Sequence, residues 1–496
     1  MGAEFKQRIA CTAVATLLIA TLAASPQRSP DGVEMIAMVR GWFGEPSGVS
    51  PGYWLPLWPL LAFALGLDRS AEPAGYLLNV ACAGGTAFCL YGLAARAAGS
   101  VVAALLTVTF ALVPAIADQV SVLDARPLGW LLTTACADSL LSARGSAEHK
   151  GWIVAGSFAF LAPLARPEGL LPACAVAGVA AVEWVRARRA AQPMASARWD
   201  PRSWAILLFA LGAGAATWLG RGRAWETLAL PWTAVWQTGD ILALYGFASA
   251  PTPYRDWVLA NGSPVFGGSL PSIAEFWSGL SEVMLAHVAA LGWVAVGAGT
   301  VGALLLARHH PLVPLVLLAP VLLLALSPQR AGQLSAVANV TTMVPLWFAF
   351  SAVVLGRFRW PWVLAGCVLV VGSARVEHAR VPKGHFVEGS SLAAKVALRL
   401  VQHAAGVSEV ACGFSSRAIV RDAGLRPAAW PSPFEGWSAP AGTVLLLSSV
   451  DVRGNDAGGV LSVAGQPAWE LLELLTEGGE PGDRGHWYAI LRRRAE

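Results

Sequence analysis

Charge is what this chain has least of. Only 13% of its 496 residues are Asp, Glu, Lys or Arg, against roughly 25% in an average soluble domain, while 55% are hydrophobic. Such a chain cannot clothe a water-soluble enzyme in polar surface. A disordered tail is excluded as well, because disorder needs low hydrophobicity. A net charge of +4 spread over this length gives no concentrated field for phosphates, which excludes a basic nucleic-acid binder. Lysine is scarcer still: Lys6, Lys150, Lys383 and Lys395 are all there are, so the basic charge is nearly all arginine, a bias that looks like GC-rich coding. The seven cysteines have no CxxC or CxxH spacing, which leaves neither a disulfide framework nor a thiolate metal site. No repeat of fixed period is visible, nor the inverted duplication that many secondary transporters carry.

What is present is a series of long apolar runs, so bilayer is the solvent to reason with. A membrane span takes about 20 apolar residues, and on that scale the chain divides into about eleven. The first, Phe5 to Ala24, follows Lys6 and Arg8 and reads as a retained anchor rather than a cleaved signal peptide. The others fall near 73–95, 98–116, 126–142, 151–165, 169–185, 203–219, 283–306, 311–326, 336–355 and 360–374. With the N-terminus in the cytoplasm, Arg96, Arg144, Lys150, Arg186, Arg188, Arg189, Arg198, Arg202, Arg308, Arg357 and Arg359 lie inside, as the positive-inside rule requires. The opposite face keeps Arg28, Arg40, Arg126, Arg166, Arg221, Arg223, Arg255 and Arg330, more than topology needs.

Three regions lie outside the bundle on that outer face. Loop 25–72 holds YWLPLWPLLAFALGLD, apolar but broken by Pro56 and Pro59, with Trp54 and Trp58 suited to the headgroup level. Loop 220–282 is rich in tryptophan and tyrosine. Residues 376–496 read as a small α/β domain: SSLAAKVALRLVQHAAG and PAWELLELLTEG as helices, SEVACGF, TVLLLSSVDV and HWYAILRRR as strands. The expected fold is therefore a polytopic α-helical membrane module, residues 1–375, followed by an extracytoplasmic α/β domain.

Ionisable groups at or near membrane depth are costly and point to function by default. Four places hold them. SPDGVEMIAMVRG places Asp31 and Glu34 on one helical face, though Asp31 also suits a plain N-cap. ADQVSVLDARP places Asp124 just ahead of a helix with Pro127 in its first turn, where capping is again the simpler role. LARPEG joins two spans with almost no loop, and Arg166 with Glu168 could be only an ion pair. SPQRAGQ presents Arg330, which could be only a headgroup anchor. By span order all four open to one face. Carboxylates beside guanidiniums are what deprotonating an acceptor next to a bound phosphate requires.

These segments, in this order, resemble the GT-C superfamily of polytopic glycosyltransferases that use polyprenyl-phosphate-linked sugars. PDGVEMIAMVRGWFG is similar to the family's first outer loop, which places Asp31 where the catalytic aspartate stands. YWLPLWPLLAFALGLD resembles its juxtamembrane helix, and SVLDARPLGWLL its second outer loop with an acidic residue at Asp124. LARPEGLLP resembles the RPEG-type break between short spans, and SPQRAGQLSAVANVTTMVPLWFAF an arginine-bearing loop before a late span. The chain departs from the pattern at Met35, where an aromatic is usual, and at Arg330-Ala331, where Arg-Tyr is usual.

The resemblance implies inverting sugar transfer at the outer face of a bacterial cytoplasmic membrane, from a polyprenyl-phosphate sugar to a lipid, glycan or protein acceptor. Asp31 would be the general base and Arg166 and Arg330 the phosphate ligands, with Glu34, Asp124 and Glu168 supporting. Asp31, Glu34 and Asp124 could together hold a divalent cation, but an arginine-assisted phosphate site needs none, so no metal and no cofactor are expected. Two rivals stand beside this reading: a lipid or solute transporter or flippase, which should carry broken helices or carboxylates at mid-membrane, and a catalytically degenerate assembly protein.

Overall fold

The computed structural model describes residues 3–23, 35, 57–65, 71–145, 149–166, 169–190, 200–219, 273–308, 344–380, 390–412, 416–429, 440–448, 468–476 and 487–494. The expected span at 311–326, residues 220–272 of the expected outer loop 220–282, and Asp31, Glu34, Glu168 and Arg330 lie outside them, while from Ile273 on that loop is already helix.

The membrane part is all helix: α1 (Ala3–Leu22), α2 (Leu57–Ala64), α3 (Ala71–Ala98), α4 (Ser100–Leu112), α5 (Pro114–Ser121), α6 (Arg126–Gly145), α7 (His149–Ala165), α8 (Leu170–Ala190), α9 (Pro201–Leu219), α10 (Ile273–Ala307), α11 (Val344–Leu355) and α12 (Trp360–Arg380). They pack as two apolar clusters. One joins α1, α3, α4, α5, α10, α11 and α12 with Trp130 of α6. The other joins α2, α3, α6, α7, α8 and α9. Helices α3 and α6 belong to both, and Ala83, Ala87 and Ala94 of α3 are wholly buried. Small residues set the spacing elsewhere too: a Cβ on Gly302 of α10 would overlap the Phe350 carbonyl of α11, so the two backbones touch.

Four helical stretches are long and apolar enough to cross a membrane: Ala3–Leu22, Gly75–Ala98, Val283–Ala307 and Trp360–Arg380. A fifth arises if α4 and α5 form one broken span. Among the described residues this is fewer than the sequence suggests, for reasons of length and polarity. Helix α7 has only 17 residues and α11 only 12. Helix α6 carries Asp138 between arginines at its two ends, beside Thr133, Thr134, Ser139 and Ser142.

The expected span over 98–116 followed by a loop is also corrected. The helix stops at Leu112, Val113 is extended (φ −74°, ψ 123°), and Pro114 opens the separate helix α5 at an angle of 59°. Proline disfavours the helical region for the residue before it and lacks the N–H that a continuing helix needs, but at the first position of a new helix that loss is harmless.

Residues 390–494 add α13 (Ser390–His403), α14 (Arg417–Asp422) and five strands: β1 (Glu409–Cys412), β2 (Arg426–Ala429), β3 (Val444–Ser448), β4 (Trp469–Thr476) and β5 (Trp487–Arg493). The sheet order is β2-β1-β3-β5-β4. Its β2-β1-β3 side is parallel, while β5 and β4 are antiparallel additions. The segment WELLELLT, expected as a helix, is strand β4. It pairs with β5 from Trp469↔Arg493 to Thr476↔Trp487, with an irregularity between Leu471 and Glu473. Cross-strand pairing thus overrides a leucine- and glutamate-rich sequence of good helical propensity.

Candidate functional site

At one end of the bundle the start of α3 is tied to α1, to α2 and to the link between α5 and α6. The Tyr76 hydroxyl near the start of α3 donates to the Ala20 carbonyl near the end of α1 at 2.7 Å, and Asn79 Nδ2 donates to the Val122 carbonyl in the α5–α6 link at 2.6 Å. Asn79 is wholly buried, and Trp58 Nε1 of α2 reaches its Oδ1 at 3.4 Å. One amide therefore ties three segments together. Trp58 is itself fully buried, so it packs inside the protein rather than standing at the headgroup level as the sequence suggests.

Met35, Trp58, Ala125 and Ala165 belong to a single buried cluster. These residues adjoin Glu34, Asp124 and Arg166 in sequence, and the cluster continues along α6 to Ala143 and takes in Ala180 of α8 and Ala205 of α9.

Asp124 is buried, with 1% of its side chain exposed. Its Oδ1 accepts from the Arg126 backbone N–H, and its Oδ2 lies 2.8 Å from Arg126 Nε. It thus caps α6 and pairs with the first residue of that helix at once. Arg126 is equally buried and donates from Nη1 to Gln119 Oε1 of α5 at 3.0 Å. The outcome is a desolvated Gln119–Arg126–Asp124 chain that fixes where α5 ends and α6 begins. The sequence names Asp124 but not Arg126 or Gln119; an Asp-x-Arg-Pro helix start was the signal that could have found the arginine.

Arg166 is half-buried where α7 ends. Its N–H donates to the Ala162 carbonyl, and its own carbonyl accepts from Gly169 N–H at 3.0 Å. A Cβ on Gly169 would overlap the Ala162 carbonyl, which explains the glycine of LARPEG: the chain turns back directly onto the last turn of α7. Nearby in the chain order, His378 Nε2 of α12 lies 3.2 Å from Asp118 Oδ2 of α5, joining two further elements.

Sequence reasoning missed a second cluster, at the opposite end of these helices. Asp138 of α6 lies 2.8 Å from Arg8 Nη2 of α1 and also accepts from Arg96 of α3, which in turn donates to Ser142. Arg8 also donates from Nε to the Phe88 carbonyl at 2.9 Å and lies over the Phe88 ring. An aspartate in the middle of an otherwise apolar span was the available signal.

Helix α10 is broken at Gly292 (φ 79°, ψ 158°), a conformation open essentially to glycine alone. A side chain there would collide with Ser373 and Ala374 of α12, so the break is filled by packing and not by a polar cavity. Among the described residues no group of three or more His, Cys, Asp or Glu side chains is placed to hold a metal ion.

No protein-family model and no curated protein sequence matches the chain. Solved structures do match, in fold. ArnT from Cupriavidus metallidurans, bound to undecaprenyl phosphate, aligns over 97% of each chain with 11% identity and a TM-score of 0.48. The oligosaccharyltransferase of Archaeoglobus fulgidus in its apo form aligns at a TM-score of 0.50 with 12% identity, over 86% of this chain and 65% of that one. The same archaeal protein, AglB, in complex with an inhibitory peptide and a dolichol-phosphate, gives 0.50 and 12% over 94% and 69%. The chain therefore spans about two thirds of the archaeal protein's length, and what they share is a fold.

Proposed function

We propose that this protein is a membrane glycosyltransferase that moves a sugar from a polyprenyl-phosphate donor to a hydroxyl of a lipid, glycan or protein at the outer face of a bacterial cytoplasmic membrane. The observation that supports the reading best is the likeness in fold to the archaeal oligosaccharyltransferase, in a chain whose Met35, Ala125 and Ala165 share one buried cluster. The archaeal relative in fold was solved with a dolichol-phosphate, which supports a polyprenyl-phosphate donor.

In this reading Asp31 takes the proton of the acceptor hydroxyl as its oxygen attacks the anomeric carbon. The bond to the phosphate oxygen breaks on the opposite side, so one displacement inverts the configuration. Arg166 and Arg330 receive the charge that returns to the lipid phosphate, since guanidiniums match phosphate oxygens as rigid forks. Glu34 and Glu168 orient those groups. Asp124 acts through Arg126, holding the α5–α6 corner that frames the site. The phosphate is already a good leaving group, so the protein's work is positioning and charge stabilisation.

The rival reading as a transporter gains nothing from the break at Gly292, because Ser373 and Ala374 of α12 pack directly against it. The test is Asp31→Asn, assayed for transfer from a labelled polyprenyl-phosphate sugar. General-base catalysis contributes about 100- to 10,000-fold, so transfer should fall by at least about 100-fold while thermal stability holds. Undiminished transfer would remove Asp31 from the mechanism.

A further inference from the structure

The other end of the bundle holds a feature that sugar transfer does not use. A partly open cavity of about 240 Å³ lies among α3, α6, α8, α10 and α11. Leu93, Leu140, Val179, Leu306 and Phe350 give it one apolar wall from each helix, and Arg96 and Arg144 stand at its rim. It is larger than the roughly 150 Å³ apolar cavity that stays dry and takes up benzene in another protein, so hydrocarbon suits it and water does not.

The rim is positively charged even after its internal pairing. Arg8 and Arg96 share the single carboxylate of Asp138, and Arg144 and Arg186 share that of Glu183. Each cluster therefore has two guanidiniums for one acid. A guanidinium has five N–H donors. Arg96 commits two of them, to Asp138 and Ser142, and Arg144 one, to Glu183. Both side chains stay partly exposed, at 38% and 31%. An apolar slot that ends in exposed, undercompensated arginines complements a hydrocarbon chain ending in an anion.

We propose that this groove binds an anionic phospholipid of the leaflet at that end, one acyl chain lying along Leu140, Val179 and Phe350 and the phosphate bridging Arg96 and Arg144. The bound lipid would wedge α8 against α11 and so brace the half of the bundle remote from the site. The inference stands independently of the proposed sugar transfer.

The test uses the full chain reconstituted in bilayers containing phosphatidylglycerol and phosphatidylcholine, extracted in mild detergent, with retained lipid counted by native mass spectrometry. Phosphatidylglycerol should be retained in preference to phosphatidylcholine. Arg144→Gln should cut its retention about fivefold, as expected for about 1 kcal/mol per basic residue near an anionic lipid surface, and Arg144→Lys should restore most of it. Ala349→Phe, which fills the groove from α11, should abolish retention of both lipids while leaving Arg144 in place. Equal retention of the two lipids, or retention that ignores both Arg144→Gln and Ala349→Phe, would overturn the proposal. So would a loss of thermal stability in Ala349→Phe with lipid retention unchanged.

Discussion

At the scale of single residues, several of the scarce charges among the described residues are bound to one another. Asp124 and Arg126 are buried together at the start of α6, and Asp138 sits between Arg8 and Arg96 near its far end. Removing one member of such a set costs more than the set contributes, because the remaining charges are left desolvated. Asp138→Asn should lower the stability of the folded chain by about 1–3 kcal/mol, less than for a fully buried pair because Arg96 is partly in solvent. Unfolding followed in detergent, with Arg8→Gln and the double variant to complete a cycle, would show whether the loss belongs to that pair; equal losses in an additive cycle would mean that it does not. Asp124 was legible in the sequence as a special residue because it precedes a proline-marked helix start. Its partner was not, since no local rule says that Arg126 turns inward to Gln119 rather than out to lipid headgroups. Asp138 escaped notice for a related reason: attention to the edges of apolar runs passes over an acid whose partners lie on two distant helices.

At the scale of elements, close contacts and breaks follow residues that the sequence displays openly but does not explain. Pro114 makes α4 and α5 two helices instead of one. Gly169 permits the turn from α7 to α8, and Gly302 permits α10 to touch α11. Gly292 meets two constraints together, a backbone conformation reserved for glycine and the Ser373–Ala374 backbone of α12 against its face. Gly292→Ala should therefore cost about 1–3 kcal/mol from backbone strain, with the steric clash adding to it, and should loosen α10 from α12. A thermal unfolding midpoint equal to that of the parent would show that the break is not under such constraint. Strand β4 marks the limit of reading elements locally. Its leucines and glutamates suit a helix, yet seven residue pairs tie it to β5, and Glu473 reaches His403 of α13 at 2.8 Å and Arg399 at 3.3 Å. Pairing with the next strand and contacts to α13, 70 residues back at His403, settled its conformation, and periodicity within the segment has no access to them.

At the scale of the whole molecule, the low charge pointed to a membrane protein, and the described structure bears that out as a bundle of apolar helices similar in fold to the archaeal oligosaccharyltransferase. The order of the helices was largely visible, because most begin or end at or beside a proline, glycine or arginine close to the expected place. Among the described residues fewer helices are long and apolar enough to cross a bilayer than apolar runs alone suggest, since α7 is short and α6 polar. Of the segments the sequence singles out, Met35, Ala125 and Ala165 share one buried cluster. The chemistry assigned to Asp31, Glu34, Glu168 and Arg330 rests on the resemblance of their segments to a family. The most direct measurement of the central claim is to incubate the purified chain in lipid with a panel of polyprenyl-phosphate monosaccharides and follow the donor lipid by mass. Sugar transfer predicts that at least one donor is converted to free polyprenyl phosphate when an acceptor-bearing membrane extract is added, and that Asp31→Asn suppresses the conversion. Donors that all survive intact with the parent protein, across the whole panel and with extract present, would contradict it.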